Sequence, residues 1–236
     1  MSKARRVDVI IPALDEAGSI GVVVKAIPEA SVRSVIVVDN GSRDATADVA
    51  RRAGAIVVHE PRRGYGSACL AGIRALPKDS EIVVFMDADG SDDPALLPEL
   101  IDPILCGAAD LVIGSRELGQ REPGALTAPQ RIGNFIAASW LRYRFDLPAT
   151  DLGPFRAIRT GALVALRMTD PDFGWTIEMQ VKAARRRLKY VEIAVPARAR
   201  SAGTSKLSGT VRGAMGAAAK IIGMLAWHDL LALRST

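Results

Sequence analysis

The sequence predicts an α/β fold in which a mainly parallel sheet is flanked by helices. Three observations lead to this class. Apolar runs rich in valine and isoleucine recur through the first half of the chain, and each is followed by a helical pattern. The runs are continuous rather than alternating, which is typical of strands buried on both faces. The linkers are short, as they are in doubly wound sheets.

The predicted elements alternate along the chain. Strands are expected at residues 7–12, 35–38, 55–59, 81–86 and 111–114, and helices at 16–27, 45–53, 64–75 and 94–105. Asp44 is a good N-cap for the second of these helices. The second half adds helices at 127–144 and 173–187, a strand that follows the turn at 151–156, and a strand at 189–196. Pro129 fits the first turn of its helix.

The chain is expected to contain one domain, residues 1–209, and an amphipathic helical extension, residues 210–236. The extension is rich in alanine and glycine, and its longest apolar stretches are about seven residues. A helix that spans a bilayer needs roughly 20. The extension could lie in the membrane interface, pack on a second copy of the chain, or pack on its own domain.

Charge indicates an anionic partner. The net charge is +5, and between residues 182 and 220 ten lysines and arginines accompany a single acid, Glu192. Nucleotides, phosphates, an anionic membrane or a nucleic acid would suit such a surface. A nucleic acid is not expected, because aromatic residues make up only 5% of the chain and no base-stacking motif is present.

The two cysteines, Cys69 and Cys106, occur in apolar, helix-like surroundings. We expect two buried, reduced thiols in a cytosolic protein. The N-terminus shows no apolar leader before the first strand. The predicted location is therefore the cytoplasm, with peripheral contact on the inner face of the membrane.

Two carboxylates end the most apolar strand. Asp87 and Asp89 directly follow the run at 82–86. In open α/β sheets, ligands bind beyond the carboxyl ends of the strands. Like charges this close need a cation, which favours a divalent ion with phosphates as its other ligands. The alternative is a solvated turn, since Asp and Gly are common in turns.

Other strand ends add polar groups to the same edge. The first strand is followed by Asp15 and Glu16, and the second ends at Asp39. A carboxylate such as Asp39 can accept hydrogen bonds from a ribose or a base. Helix capping is the alternative for Asp15 and Asp44. The segment 62–67, RRGYGS, precedes a helix and could bind a phosphate through its cations and free N–H groups.

Several motifs, in order and spacing, resemble those of the family 2 glycosyltransferases with the GT-A fold. In the first half they are IPALDE at 11–16, VVDNGS at 37–42 and DAD at 87–89. In the second half they are GSR at 114–116, QRIGN at 130–134, TDLGPFR at 150–156 and SKLSG at 205–209. This second set resembles the branch of dolichyl- and polyprenyl-phosphate sugar synthases.

The resemblance implies roles for individual residues. It assigns the nucleotide-sugar donor to these positions: Pro12, Asp15, Glu16, Asp39, Arg63, Gly64, Asp87, Ala88, Arg200 and Lys206. It puts Mg²⁺ or Mn²⁺ on Asp87 and Asp89, and the acceptor phosphate near these positions: Arg116, Arg131, Asn134 and Ser139. The implied catalytic residues are Asp89, Arg116, Arg131 and Glu178. Lys206 and either Arg198 or Arg200 would lie on a loop that closes over the donor.

Two features depart from the family pattern. The family often has Gln where this chain has Ser91, so that Ser91, Asp92 or water could complete the metal coordination. Where many family 2 enzymes have a catalytic base, Glu178 is the only nearby acid. A phosphate acceptor is already anionic and needs little or no base. Glu178 is therefore expected to position other groups, with a role as base as the alternative.

The resemblance implies an inverting, metal-dependent transfer of a hexose from a nucleoside diphosphate sugar to a polyprenyl or dolichyl phosphate. The donor would be of the UDP-glucose or GDP-mannose type. One alternative is transfer to a hydroxyl acceptor, which would need a base. Another is a nucleotide-sugar-binding module without turnover, and the presence of both Asp87 and Asp89 argues against it. A membrane surface and a second copy of the chain are the expected macromolecular partners.

Overall fold

The computed structural model describes residues 6–200, which contain a seven-stranded sheet. The strands are β1 (Val7–Ala13), β2 (Ser34–Asp39), β3 (Ile56–His59), β4 (Ile82–Phe85), β5 (Leu111–Ser115), β6 (Arg156–Arg159) and β7 (Tyr190–Ala194). The helices are α1 (Ile20–Ala26), α2 (Thr46–Arg52), α3 (Tyr65–Arg74), α4 (Leu97–Leu105), α5 (Ala128–Phe145), α6 (Thr160–Leu166) and α7 (Trp175–Arg185). Short 3₁₀ turns lie at Glu29–Ser31 and Pro94–Leu96.

The strand order is β3-β2-β1-β4-β6-β5-β7. All neighbouring pairs are parallel except those of β6, which runs antiparallel to both β4 and β5. The predicted fold class, a mainly parallel sheet flanked by helices, is confirmed. The strand predicted after the turn at 151–156 is present as β6, but its sequence does not indicate its direction.

The sheet is covered on both faces, which explains its continuously apolar strands. In β1, Val9 and Ile11 join a cluster with α1, α2 and α4, whereas Ile10 joins a cluster with α3, α6 and α7. All four residues of β4 are buried. Helix α5 packs outside this layer, against α7. Alternating side chains thus enter opposite halves of the core, as the two-residue period of a strand requires.

The parallel strands bring their carboxyl ends to one edge. Ala13 at the end of β1 is in register with Asp39 at the end of β2, and the Asn40 N–H donates to the Ala13 carbonyl at 2.9 Å. Strand β4 pairs with the other side of β1 and ends beside Ile10. The segments that follow β1, β2 and β4 therefore meet at this edge of the sheet.

Some local predictions differ from the structure. Helix α1 begins at Ile20, because residues 16–19 form a turn in which the Ser19 N–H donates to the Glu16 carbonyl. Helix α6 was not predicted. Cys69 is buried as expected, but the expectation is wrong for Cys106, which is exposed after the end of α4. Lys206 and the proposed extension at 210–236 lie outside the described residues.

Candidate active site

A cavity of about 650 Å³ opens at the carboxyl edge of the sheet. Its walls come from the segments that follow β1, β2, β4 and β5, from the first half of α5, and from residues 172–176 and 197–200. Its lining includes carboxylates and arginines, among them Asp87, Asp89 and Arg116. It also includes apolar side chains, among them Leu126, Leu152 and Phe173. The cavity thus offers both charged and apolar contacts to its ligands.

Three carboxylates lie together after β4. Asp89 and Asp92 are 3% and 6% exposed. One Asp92 carboxylate oxygen accepts the backbone N–H of Asp87 at 2.8 Å, and one Asp89 oxygen accepts the N–H of Ser91 at 2.9 Å. These bonds close the turn and fix the backbone on which Asp87 and Asp89 stand.

Burial and repulsion between neighbouring charges make the carboxyls of Asp87 and Asp92 hard to ionise. Burial raises the pKa of Asp87 well above its usual value, and the charges of Asp92 and Asp89 raise it further. Burial also raises the pKa of Asp92 to about 7, although the hydrogen bond from the Asp87 N–H acts to lower it. Such a group of acids calls for positive charge, and a hard divalent cation prefers carboxylate oxygens. The donor chemistry of Asp87 and Asp89 therefore fits Mg²⁺ or Mn²⁺.

The protein brings one cation of its own to these acids. The Arg200 Nε lies 3.0 Å from an Asp89 oxygen, and its Nη1 lies 3.7 Å from a Glu16 oxygen. Arg198 pairs with Asp93 at 2.6 Å. Among residues 6–200 no group of three or more Asp, Glu, His or Cys side chains is arranged to hold a metal ion. A bound cation would therefore need oxygens from a ligand or water besides Asp87 and Asp89.

Arg116 lies in the cavity wall and is held by Asp151. The Asp151 carboxylate accepts the backbone N–H, Nε and Nη2 of Arg116, each at 2.8 Å. Asp151 is fully buried, whereas the Arg116 side chain keeps 24% exposure. Burial opposes the charge on both groups, but their attraction outweighs it, so the pKa of Asp151 is lowered and that of Arg116 raised. The guanidinium is a fixed positive charge that can donate to an anionic ligand.

A network of buried and half-buried polar groups supports this ion pair. The Ser115 and Thr150 hydroxyls lie 2.6 Å apart, and the Glu192 carboxylate accepts from the Thr150 N–H and hydroxyl. Gln180 donates to the Asp151 carbonyl at 3.0 Å. The network joins β5, β7, α7 and the 150–152 turn. Arg116 is therefore positioned by residues that are distant in sequence.

Asn40 organises another part of the cavity wall. Its side-chain amide donates to the carbonyls of Glu60 and Arg62 at 2.9 and 2.8 Å, and its oxygen accepts the Gly64 N–H at 2.9 Å. Arg63 in turn donates to the Gly41 carbonyl at 2.8 Å. Asn40, Arg63 and Gly64 all line the cavity. No role was predicted for Asn40, although a polar residue that directly follows a buried strand is typical of a ligand-binding position in such sheets.

The glycines of the 62–67 segment have a packing role. A Cβ on Gly64 would lie 2.2 Å from the Pro171 carbonyl oxygen, and one on Gly66 would lie 2.0 Å from that of Asp170. The Ser67 N–H donates to the Pro171 carbonyl at 2.8 Å. The close approach of two backbones explains both glycines. One N–H of the first turn of α3 is thereby used within the protein rather than kept for a phosphate.

Glu178 holds the turn that makes this approach. Its carboxylate accepts the N–H groups of Thr169 and Asp170 at 3.0 and 2.9 Å and pairs with Lys182 at 2.6 Å. Burial opposes its ionisation, but the bonds from Lys182, Thr169 and Asp170 outweigh burial and lower its pKa. Glu178 does not line the cavity. These contacts suit a positioning residue, and a role as base stays a prediction.

The remaining donor-side residues are divided between the wall and the layer behind it. Pro12, Glu16, Asp87 and Ala88 line the cavity, and Asp15 and Asp39 do not. Asp39 accepts the Ser42 N–H at 3.1 Å and lies 3.2 Å from the His59 ring nitrogen. Asp15 has a φ of 50° and accepts the Arg43 N–H at 2.6 Å. In this structure both acids shape the loops, and their contact with a nucleoside stays a prediction.

Asp44 also serves these loops. It lies just before α2, whose N-cap position is Ala45, and one of its oxygens accepts the Thr46 N–H at 3.0 Å. The other accepts the Ala17 N–H at 3.1 Å. Asp44 is therefore not the N-cap that was predicted, because the helix begins one residue later than expected; it instead contacts Thr46, the first residue of α2, and ties the 15–17 segment to this helix.

The acceptor-side residues separate in the same way. Asn134 lines the cavity and clamps the 150–152 turn, donating to the Thr150 carbonyl at 3.1 Å and accepting the Leu152 N–H at 2.8 Å. Arg131 is exposed on α5 outside the cavity lining. Ser139 accepts from Arg142 at 2.8 Å, farther along the helix. The structure brings Arg116 and Asn134 to the cavity, and the acceptor roles of Arg131 and Ser139 stay predictions.

Comparison with known proteins agrees with this geometry. The model of the family described as Glycosyl transferase family 2 matches residues 8–169. An uncharacterized glycosyltransferase of Mycobacterium tuberculosis is 43% identical over 211 residues, which cover 89% of this chain and 93% of the relative. The undecaprenyl-phosphate mannosyltransferase of Micrococcus luteus is 33% identical over 223 residues, covering 88% and 90%.

A solved structure extends the comparison. Glucosyl-3-phosphoglycerate synthase from M. tuberculosis, crystallised with Mn²⁺, UDP-glucose and phosphoglyceric acid, is similar with a TM-score of 0.72 and 26% identity. The match covers 93% of this chain and 80% of that one. Fold and site together define a glycosyltransferase of the GT-A type. The chain belongs to glycosyl transferase family 2, in the group that is similar to polyprenyl-phosphate sugar synthases.

Proposed function

We propose that this glycosyltransferase moves a hexose from a nucleoside diphosphate sugar to a polyprenyl phosphate, with inversion at the anomeric carbon. The observation that carries the proposal is the composition of the cavity. Its lining combines carboxylates suited to a divalent cation, an arginine fixed by a buried acid, and apolar side chains. A sugar diphosphate, a phosphate and a prenyl chain match these three parts.

The donor would lie along the segments that follow β1, β2 and β4. Pro12, Asn40 and Arg63 form the wall on that side, and Arg63 is held by the Gly41 carbonyl. Mg²⁺ or Mn²⁺ would be held by Asp87 and Asp89 and would neutralise the diphosphate that leaves. Arg200 already reaches Asp89 and Glu16, so its charge lies where a diphosphate would bind. Lys206 would also bind the donor.

The acceptor phosphate would bind at Arg116. Asp151 engages Nε and Nη2 of that guanidinium, which leaves Nη1 for a ligand oxygen. An oxygen of the phosphate would attack C1 of the sugar as the bond to the diphosphate breaks. The attacking oxygen is already ionised, so no residue has to remove a proton. Leu126, Leu152 and Phe173 would contact the first prenyl units.

A hydroxyl acceptor is the second candidate. The similar synthase was crystallised with phosphoglyceric acid, a soluble phosphate-bearing compound. Such a reaction would need a base, and the lowered pKa of Glu178 makes that carboxylate a weak one. The apolar side chains of the cavity lining favour the lipid.

The test is transfer of radiolabelled sugar from UDP-glucose or GDP-mannose to a short polyprenyl phosphate, extracted into organic solvent. We expect label in the lipid phase with Mg²⁺ or Mn²⁺ and none with EDTA. Asp89→Asn should lower the rate of transfer by about 100-fold or more, because the cation that stabilises the charge developing on the leaving diphosphate would be held less tightly. Asp102→Asn, an exposed acid on α4, is the matched control. Full activity of Asp89→Asn would overturn the metal assignment, and label in a soluble hydroxyl compound alone would overturn the acceptor.

A further inference from the structure

Helix α5 carries an apolar face that the described part of the protein leaves open. Of the nine large apolar side chains that are well exposed in residues 6–200, four lie on this helix. Ile132, Phe135 and Ile136 are 61%, 68% and 48% exposed, and Tyr143 is 91% exposed. Residues three, four and seven positions apart share one face of a helix. The four side chains therefore form a single stripe, here called the α5 stripe.

The opposite faces of the same helix are occupied. Ala137 and Leu141 are buried against Ile177 and Val181 of α7. Gly133 and Asn134 line the cavity. One helix thus contacts the core, contributes to the wall of the cavity, and presents an apolar stripe outward.

The charges of α5 are all of one sign. The helix contains Arg131, Arg142 and Arg144 and no acid. Of the acids in the preceding loop, Glu117 pairs with Arg121 at 2.8 Å, and Glu122 accepts the Ala199 N–H at 3.0 Å. An apolar stripe flanked by arginines is the pattern of a helix that lies in a membrane interface.

We propose that the α5 stripe docks the enzyme on an anionic lipid surface. The proposal rests on the proposed function, because a lipid acceptor keeps its phosphate at the level of the headgroups. Docking through α5 would bring the cavity wall that Gly133 and Asn134 contribute close to that level. The acceptor phosphate could then reach the cavity while its prenyl chain stays in the bilayer.

Charge favours a lipid surface as the partner of the α5 stripe over two alternatives, residues 201–236 of the same chain and a second copy of the chain. Residues 201–236 contain four lysines and arginines and one acid, Asp229, so this segment would meet the arginines of α5 with charge of the same sign. A second copy of the chain that used the same face would oppose arginines to arginines. Anionic headgroups, by contrast, would be attracted to the arginines of α5 and to the basic segment 201–236 alike.

The experiment is flotation of the full-length enzyme with vesicles of phosphatidylcholine, with or without phosphatidylglycerol. We expect binding to the anionic vesicles, and at least a tenfold loss for the triple variant Ile132→Ser, Phe135→Ser and Ile136→Ser. The control is the double variant Val22→Ser and Val164→Ser, whose side chains are 72% and 66% exposed elsewhere on the surface. Unchanged binding of the triple variant would overturn the proposal and assign the lipid contact to another part of the chain.

Two further measurements keep the result clear. Phe135→Trp retains an aromatic ring, and its fluorescence should shift to shorter wavelength on addition of anionic vesicles; a constant spectrum would contradict docking. If the wild type is a dimer that does not bind vesicles, and the triple variant is a monomer, the stripe would instead be the contact with a second copy of the chain.

Transfer to a short, water-soluble prenyl phosphate is measured separately. Wild-type activity there without vesicle binding would overturn docking alone, and no transfer to any prenyl phosphate would overturn the proposed function.

Discussion

Replacing Asp151 by alanine tests whether Arg116 depends on its buried partner. The change removes three hydrogen bonds of 2.8 Å to the Arg116 main chain and side chain and leaves a guanidinium with little solvent. Removing one partner of a buried ion pair costs about 3–5 kcal/mol. Because the Arg116 side chain is 24% exposed, water recovers part of this cost, and we expect a loss of about 2–4 kcal/mol in the free energy of unfolding.

Calorimetry and acceptor kinetics provide the readout. A loss of that size corresponds to a fall in Tm of roughly 5–15 °C for a domain of this length. The KM for the lipid phosphate should rise about tenfold or more, while the KM for the donor changes little. The control is Asp48→Ala, which breaks an exposed pair with Arg51 and should change stability by less than about 1 kcal/mol. A variant with wild-type Tm and acceptor KM would refute the claim that Asp151 positions Arg116.

The same pair predicts a pH dependence. The folded pKa of Asp151 lies below its ordinary value: burial opposes the charge, and Arg116 more than offsets burial. The contribution of Asp151 to stability is therefore complete above the unfolded pKa of about 4 and is lost as the pH falls through the folded value. Urea unfolding should show the full difference between wild type and Asp151→Ala at neutral pH and a difference that shrinks as the pH falls below about 4. An equal difference at both pH values would contradict this assignment.

Three further substitutions test the remaining parts of the site. Glu178→Gln weakens the bond to Lys182 and should lower the free energy of unfolding by about 1–2 kcal/mol. The kcat should fall less than tenfold and its pH profile should not change. A fall in kcat above 100-fold would indicate that Glu178 acts as a base. Asn40→Ala removes three bonds to the 60–64 segment and should raise the KM for the donor rather than the acceptor, as steady-state kinetics will show. Arg131→Ala should raise the KM for the lipid phosphate, and an effect confined to the donor would remove Arg131 from the acceptor site.

Much of the fold could be predicted because its strands carry a strong local signal. The run at 82–86 is apolar without interruption, and β4 is buried along its whole length. The acids after β1, β2 and β4 could be assigned to one edge because parallel strands bring their carboxyl ends together. Strand β6 gave a weaker signal. It contains Arg156 and Arg159, and the sequence does not reveal that Arg156 is fully buried, with its guanidinium bonded to the carbonyls of Gly153 and Thr176.

The supporting contacts of the site were harder to predict because they join residues that are far apart in sequence. Asp151 could be read as a turn residue or as part of the acceptor site, and only the packing of β5 beside β6 brings it to Arg116. Glu192 reaches Thr150 across 42 positions. The glycines at 64 and 66 suggested a phosphate loop, but they allow the backbone at 170–171 to approach. Such roles depend on tertiary packing, which a local motif does not encode.

The central claim is that Asp87 and Asp89 bind a nucleoside diphosphate sugar through a divalent cation, and calorimetric titration tests it most directly. UDP, GDP and their glucose and mannose conjugates are titrated into the wild type with Mn²⁺, with EDTA, and into Asp89→Asn with Mn²⁺. The account predicts that one nucleotide binds tightly to the wild type with Mn²⁺, and that binding falls at least tenfold with EDTA or with Asn at position 89. Equal binding under all three conditions, or binding of no nucleotide to the folded protein, would contradict it.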